Sequence, residues 1–154
     1  MFRINKLTDY ATVVLIEMVH GEKVRSTQNI ADRTSIPLPT VAKLMKNLSK
    51  AGLVTSQRGA GGGYRLGRAA SDVTVADVIQ AVEGPIALTA CVDTSDEHCG
   101  IENLCPVQGK WNRVNASVRA ALEDVTLTDM ASDMLWIDLM FDQKNSSSEI
   151  TSQD

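Results

Sequence analysis

The sequence predicts a mainly α fold that carries one small β-hairpin and runs on into a long, apolar-striped helix. Three observations predict it. Apolar residues recur at helical spacing through most of the first fifty positions. A glycine run, Gly61-Gly62-Gly63, separates two short strand-like stretches. Val107, Trp111, Val114, Val118, Leu122 and Val125 then repeat at spacings of four and three, the seam pattern of paired helices.

The elements follow in order. Lys6 to about His20 reads as a helix with Leu7, Ala11, Val14, Leu15 and Met18 on one face, stopped by Gly21. Ser26 or Thr27 caps a short helix from Gln28 to about Arg33, with Ile30 and Ala31 turned inward. Residues 34–38 form a turn. A third helix runs from Pro39, well suited to a first turn, to about Ala51. Its Val41, Leu44, Met45 and Leu48 share one face, while Thr40, Lys43, Lys46, Asn47 and Lys50 share the other. Residues 53–58 and 64–68 are the strands of a hairpin around the glycine tip.

Helix, helix, turn, helix, hairpin is the order of a winged helix-turn-helix unit. A fourth helix spans about Val75 to Val82, capped by Thr74 or Ser71 and broken at Gly84-Pro85. A long helix opens at Pro106 or Val107 and carries the seam. A last one, capped by Thr126 or Thr128, reaches about Phe141 with Met130, Met134, Leu135, Ile137 and Met140 available for packing. The expected division is a winged unit at 1–84, a cysteine-containing loop at 85–106, dimerisation helices at 107–141 and a polar tail at 142–154.

Charge is divided unevenly. The net charge is −4, yet residues 1–68 hold 11 Lys and Arg against 4 Asp and Glu, and residues 69–154 hold 4 against 15. A basic first half can follow a phosphate backbone while the acidic half faces away from it. In that role Lys43, Lys46 and Lys50 meet phosphates, and Thr40 and Asn47 suit base edges. Arg58 and Arg65 flank the wing tip, within reach of a minor groove. The run 61–63 supplies the positive φ and close approach that such a tip requires. It is no nucleotide loop, lacking the Gly-Lys-Ser ending and a following helix. No base–nucleophile pair surrounds His20 or His98, so an enzyme is not expected, nor is a small-molecule substrate.

All three cysteines, Cys91, Cys99 and Cys105, fall in one polar segment between Gly84-Pro85 and the seam. Scattered thiols behave as small core hydrophobes; thiols gathered in a loop suggest metal, iron–sulfur or redox chemistry. Seven residues separate the first pair and five the second, wider than the paired knuckles of structural zinc. An iron–sulfur cluster, zinc and thiol redox all stand open on spacing alone. His98, Glu102, Gln108 and Asp9 are the other donors to consider. No stretch approaches the roughly 18 unbroken apolar residues of a membrane span. The first ten residues lack an apolar signal core, so a cytoplasmic location without structural disulfides is expected.

The opening Leu7-Thr8-Asp9-Tyr10-Ala11, the run from Gly52-Leu53-Val54 through Arg58-Gly59-Ala60-Gly61-Gly62-Gly63-Tyr64-Arg65-Leu66, and the three cysteines resemble the iron–sulfur transcriptional regulators typified by IscR, NsrR and RirA. The similarity covers about residues 1–141. Ile86-Ala87-Leu88-Thr89-Ala90-Cys91 and Leu104-Cys105-Pro106-Val107 are most similar to the proteobacterial branch that regulates the SUF iron–sulfur assembly system. The resemblance implies a homodimer on a palindromic DNA operator, a repressor or activator whose cluster state changes its affinity. It implies Cys91, Cys99 and Cys105 as thiolate ligands. Where one branch has a histidine, this chain has Gln108; where another takes an aspartate from the partner's first helix, this chain has Asp9. The implied set is therefore Cys91, Cys99, Cys105 and Asp9, holding a 4Fe–4S cluster in preference to 2Fe–2S. Ala42 stands where one branch carries a promoter-selecting glutamate.

Overall fold

Helix α1 (Lys6–Val19) starts at Asn5, whose side chain accepts from the Leu7 amide at 2.9 Å. The structure is a computed structural model, and it describes residues 3–20, 24–101 and 104–132. Gly21, the expected stop of α1, lies outside the described residues, as do Glu102 and everything beyond Ser132. One face of α1 buries Ala11, Val14, Leu15 and Met18, as the spacing predicts, together with Thr8 and Ile16.

Ser26 caps α2 (Thr27–Thr34) by accepting from the Asn29 amide. The helix ends at Ser35, a left-handed residue at φ 58 that turns the chain into α3 (Leu38–Lys50). Leu38, expected in the turn, is thus the first residue of α3. Val41, Leu44, Met45 and Leu48 are fully buried against α1 and α2. Each such side chain contributes about 1.5–3 kcal/mol by leaving water.

The wing pairs β1 (Val54–Gln57) antiparallel with β2 (Gly63–Leu66), in the register Val54↔Leu66, Thr55↔Arg65, Ser56↔Tyr64 and Gln57↔Gly63. Arg25 adds an isolated rung on the other side of β2, exchanging both backbone hydrogen bonds with Tyr64 at 2.9 and 2.8 Å. Glycine is required here by close approach more than by dihedral angle. A Cβ at Gly63 would stand 2.3 Å from the Arg25 carbonyl oxygen, and one at Gly62 2.6 Å from that of Gln57. Positive φ falls at Gly59 and Gly63, not through the whole run 61–63.

A single 3₁₀ turn (Ala70–Asp72) leads into α4 (Val75–Glu83), which opens with a capping box. Thr74 accepts from the Asp77 amide, and Asp77 accepts from the Thr74 amide. The same device recurs at Thr126 and Asp129, which open α6 (Leu127–Ala131). The two caps are joined: Val75 N–H donates to the Val125 carbonyl, and Leu127 N–H to that of Val73, both at 2.9 Å. Leu127, fully buried, and Ala131 thereby enter the core that α1 and α3 build.

Helix α5 (Trp111–Glu123) begins four residues later than the seam pattern predicts. Gly109 adopts φ +71, a left-handed conformation that a helix cannot pass through, so 106–110 form turns instead. Helix α6 ends at Ala131, with Ser132 as its C-cap. Met134, Leu135, Ile137 and Met140 lie outside the described residues. No helix among those described is long and apolar enough to cross a membrane.

Candidate functional site

Two surfaces carry the polar chemistry. On the first, the outward side of α3 presents Lys43, Lys46 and Lys50 exposed, with Thr40 and Asn47 half-buried beside them. Arg58 and Arg65 are exposed on either side of the wing tip. All seven therefore occupy the side expected of them, held there by the buried opposite face of α3 and by the β1–β2 register. Arg68 is engaged elsewhere, 3.3 Å from Asp77 and bonded to the Asp72 carbonyl.

What aims the wing relative to α3 is a set of contacts not legible in the sequence. Glu17, only 11% exposed, pairs with Arg25 at 2.9 Å and with Arg33 of α2. Because Arg25 is also the rung beside Tyr64, one half-buried carboxylate ties α1, α2 and the wing together. The Arg25 Nε is buried without a partner in this arrangement. A lone Glu in the apolar second half of α1 is the one sequence signal.

The second surface is the cysteine segment, an irregular run of turns across the end of α4 and the side of α5. Cys91, Cys99 and Cys105 are all free thiols and all half-buried. The Cys91 Sγ lies 3.3 Å from the Thr89 hydroxyl. Among the described residues, no three His, Cys, Asp or Glu side chains are gathered as a metal sphere. In kind the donors fit an iron–sulfur group: soft, unpaired by disulfides, and partly accessible. In position, they stand apart. His98 is exposed, and Asp9 is exposed in the first turn of α1.

The neighbour of Asp9 is better connected. The Thr8 hydroxyl is buried and donates to Glu83, which also accepts from the Asn5 amide at 3.3 Å. Glu83 is the last residue of α4, so the start of α1 is bonded to the root of the cysteine segment.

Sequence reasoning also missed Asn115. It lies off the apolar seam, yet it is 4% exposed and hydrogen-bonded to the segment at Ile86, Leu88 and Thr94. The seam itself is largely uncovered. Val107, Trp111, Val114 and Val125 are 38–44% exposed, and Ile101 and Leu104 beside the cysteines reach 67% and 91%. Leu122 alone of the stripe packs inward on Ala76, Ile79 and Ile86.

Comparison with known proteins places these surfaces in context. A family model described as Rrf2, iron-dependent transcriptional regulator, matches residues 4–133. The HTH-type transcriptional regulator IscR of Vibrio atlanticus is 35% identical over 126 residues, covering 80% of this chain and 72% of its own. The HTH-type transcriptional regulator CymR of Bacillus subtilis is 34% identical, covering 80% and 85%. Among solved structures, that of CymR, the global cysteine regulator of B. subtilis, superposes with a TM-score of 0.65 over 86% of this chain and 98% of its own. T. potens IscR superposes with a TM-score of 0.62 at 29% identity, over 86% and 88%.

Proposed function

This chain belongs to the Rrf2 family of iron-dependent transcriptional regulators, and from that premise we propose that it is an iron–sulfur-dependent repressor of iron–sulfur assembly genes, working as a cytoplasmic homodimer on a palindromic operator. Membership makes it a DNA-binding regulator and not an enzyme. The cofactor, the sign of regulation, the dimer and the residue roles are the proposal.

One observation carries it. Three free thiols lie in the one segment between α4 and α5, next to an apolar stripe whose Val107, Trp111, Val114 and Val125 are left exposed. A second copy packing its α5 against the stripe would remove Trp111 and Val114 from water. It would also set two basic lobes a fixed distance apart, as half-sites of an operator require.

In each lobe, Lys43, Lys46 and Lys50 neutralise phosphates, while Thr40 and Asn47 meet base edges in the major groove. Arg58 and Arg65 straddle the adjoining minor groove from the wing. Cys91, Cys99 and Cys105, with Asp9 contributed by the second protomer, hold the cluster; three thiolates and one carboxylate favour 4Fe–4S over 2Fe–2S. The bound group supplies iron–sulfide chemistry open to loss or oxidative damage. Gathered donors hold 91–105 against α5 and against the second protomer's α1, keeping one spacing of the wings. Donors left free lose that tie. A coupling of about 1–3 kcal/mol changes operator affinity 5–150-fold.

Operator affinity measured for iron-loaded and cofactor-free protein, with iron, sulfide and zinc counts, tests the reading. Equal affinities at every operator overturn it. Zinc without sulfide, or affinity following thiol oxidation without any metal, replaces it with a zinc- or thiol-redox-dependent regulator on the same scaffold.

A further inference from the structure

We infer that Asn115 is the positioning residue of the thiol site: it holds the stretch 86–94 on α5, presents Cys91 in advance, and leaves Cys99 and Cys105 to be brought to it. The inference deepens the cluster reading and, in its cofactor arm, rests on it.

Asn is a mediocre helix former, and a buried one in mid-helix needs a reason. Here the carboxamide uses three of its four hydrogen-bonding positions, both donors included, on the facing segment. Its Oδ1 accepts from the Leu88 amide at 3.0 Å; its Nδ2 donates to the Ile86 carbonyl at 3.0 Å and to the Thr94 hydroxyl at 3.2 Å. The Thr94 hydroxyl in turn donates to the Ile86 carbonyl at 2.9 Å. One turn earlier, Asn112 repeats the grip: its Oδ1 accepts from the Asp93 amide at 3.1 Å and its Nδ2 donates to the Asp93 carboxylate at 2.9 Å. Ile86 and Val92, 8% and 4% exposed, pin the same stretch by burial.

Cys91 lies between these holds. Cys99 and Cys105 lie beyond the last of them, among local turns such as Leu104 N–H to the Ile101 carbonyl, with Ile101 and Leu104 facing solvent. The three thiols are therefore unequal before any ligand arrives. Ligation would draw the outer limb toward a ligand already in place, and Asn115 would pass the change to α5, the helix that carries the stripe.

The cofactor-free full chain tests this by iodoacetamide labelling with peptide mass mapping. Cys91 is expected to react slowest. Asn115→Ala should speed its labelling about tenfold, a share of what stranding buried hydrogen-bonding groups costs, and leave Cys99 and Cys105 unchanged. Thr94→Val, which preserves shape and deletes one bond partner, should act in the same direction by less, and it decides the matter should Asn115→Ala fail to fold. Equal labelling of all three thiols in the parent overturns the inference. So does a Cys91 rate that neither variant alters.

A second arm follows the visible absorption of anaerobically reconstituted protein under a chelator. Asn115→Ala should bleach about tenfold faster; an unchanged lifetime overturns the positioning role toward the cluster. A parent that takes up no iron overturns the cluster reading instead, and the labelling result separates the two failures.

Discussion

The basic lobe and the cysteine-bearing half are held together by different physics. In the lobe, α1, α2, α3, the wing, one face of α4 and α6 share one continuous core, with Leu15, Ile30, Leu44, Met45, Leu48, Val78 and Leu127 fully buried. In the other half the apolar anchor is small: Ala76, Ile79 and Ile86 with Leu122 against them. The rest of its described part is held largely by side-chain amides, Asn112 and Asn115, while Ile101, Leu104 and Trp111 stay exposed. The difference teaches that the lobe buries its own core, whereas the described part of the second half leaves an apolar stripe exposed, the surface that the proposed second copy would cover. Hydrogen bonds whose net worth is about 1 kcal/mol each suit a segment meant to rearrange; a packed core suits one that must not.

The largest expected contrast sets a truncation in the lobe's core against a charge placed on the exposed stripe. Leu44→Ala should lower the unfolding free energy by about 2–5 kcal/mol in urea titration. Trp111→Glu, on the exposed stripe, should leave the lobe's core intact and instead convert a dimer to a monomer in sedimentation. An unchanged mass would break the view of the stripe as a seam.

The two capping boxes offer a finer comparison. Thr74→Ala should cost about 1 kcal/mol by releasing the Asp77 amide at the head of α4. Thr126→Ala, at the more exposed cap, should cost less by the same thermal unfolding measurement.

Salt dependence separates the lobes by charge. Lys46→Ala should reduce the slope of log affinity for DNA against log salt by about 1. Lys110→Ala, at the head of α5, should leave the slope unchanged; an equal drop would mean that DNA also touches the acidic half.

The smallest effect concerns Asp129. Hydrogen bonds from the Thr126 hydroxyl and amide hold its carboxyl below the ordinary value of 3.8. A lowered value means the folded state favours the charged form. Its contribution is present above that ordinary value and is lost as pH falls through the folded one. Asp129→Asn should therefore slightly flatten the acid limb of the stability profile below about pH 4, with little change near neutrality.

Local signals carry most of the lobe. Val41, Leu44, Met45 and Leu48 sit at helical spacing, and that spacing alone assigns the buried face of α3 and therefore the exposed one bearing its lysines. The glycine run marks the wing, though the sequence cannot tell that steric exclusion against Arg25 and Gln57 is the main demand there. Gly109 shows where periodicity misleads: Val107 continues the seam in pattern, but one left-handed residue delays the helix to Trp111.

By itself, the sequence determined the order of elements, the inward faces of α1, α2 and α3, the basic and acidic halves and the presence of three clustered thiols. All of these depend on residues near one another in the chain. Tertiary structure alone decided that Glu17 joins Arg25 and Arg33, that Glu83 reaches Thr8, that Leu127 returns to the lobe's core, and that Asn115 grips a segment 21–29 residues before it. A polar side chain satisfied by distant backbone leaves no periodic trace, because its partner is set by where the chain folds back and not by what lies beside it in sequence.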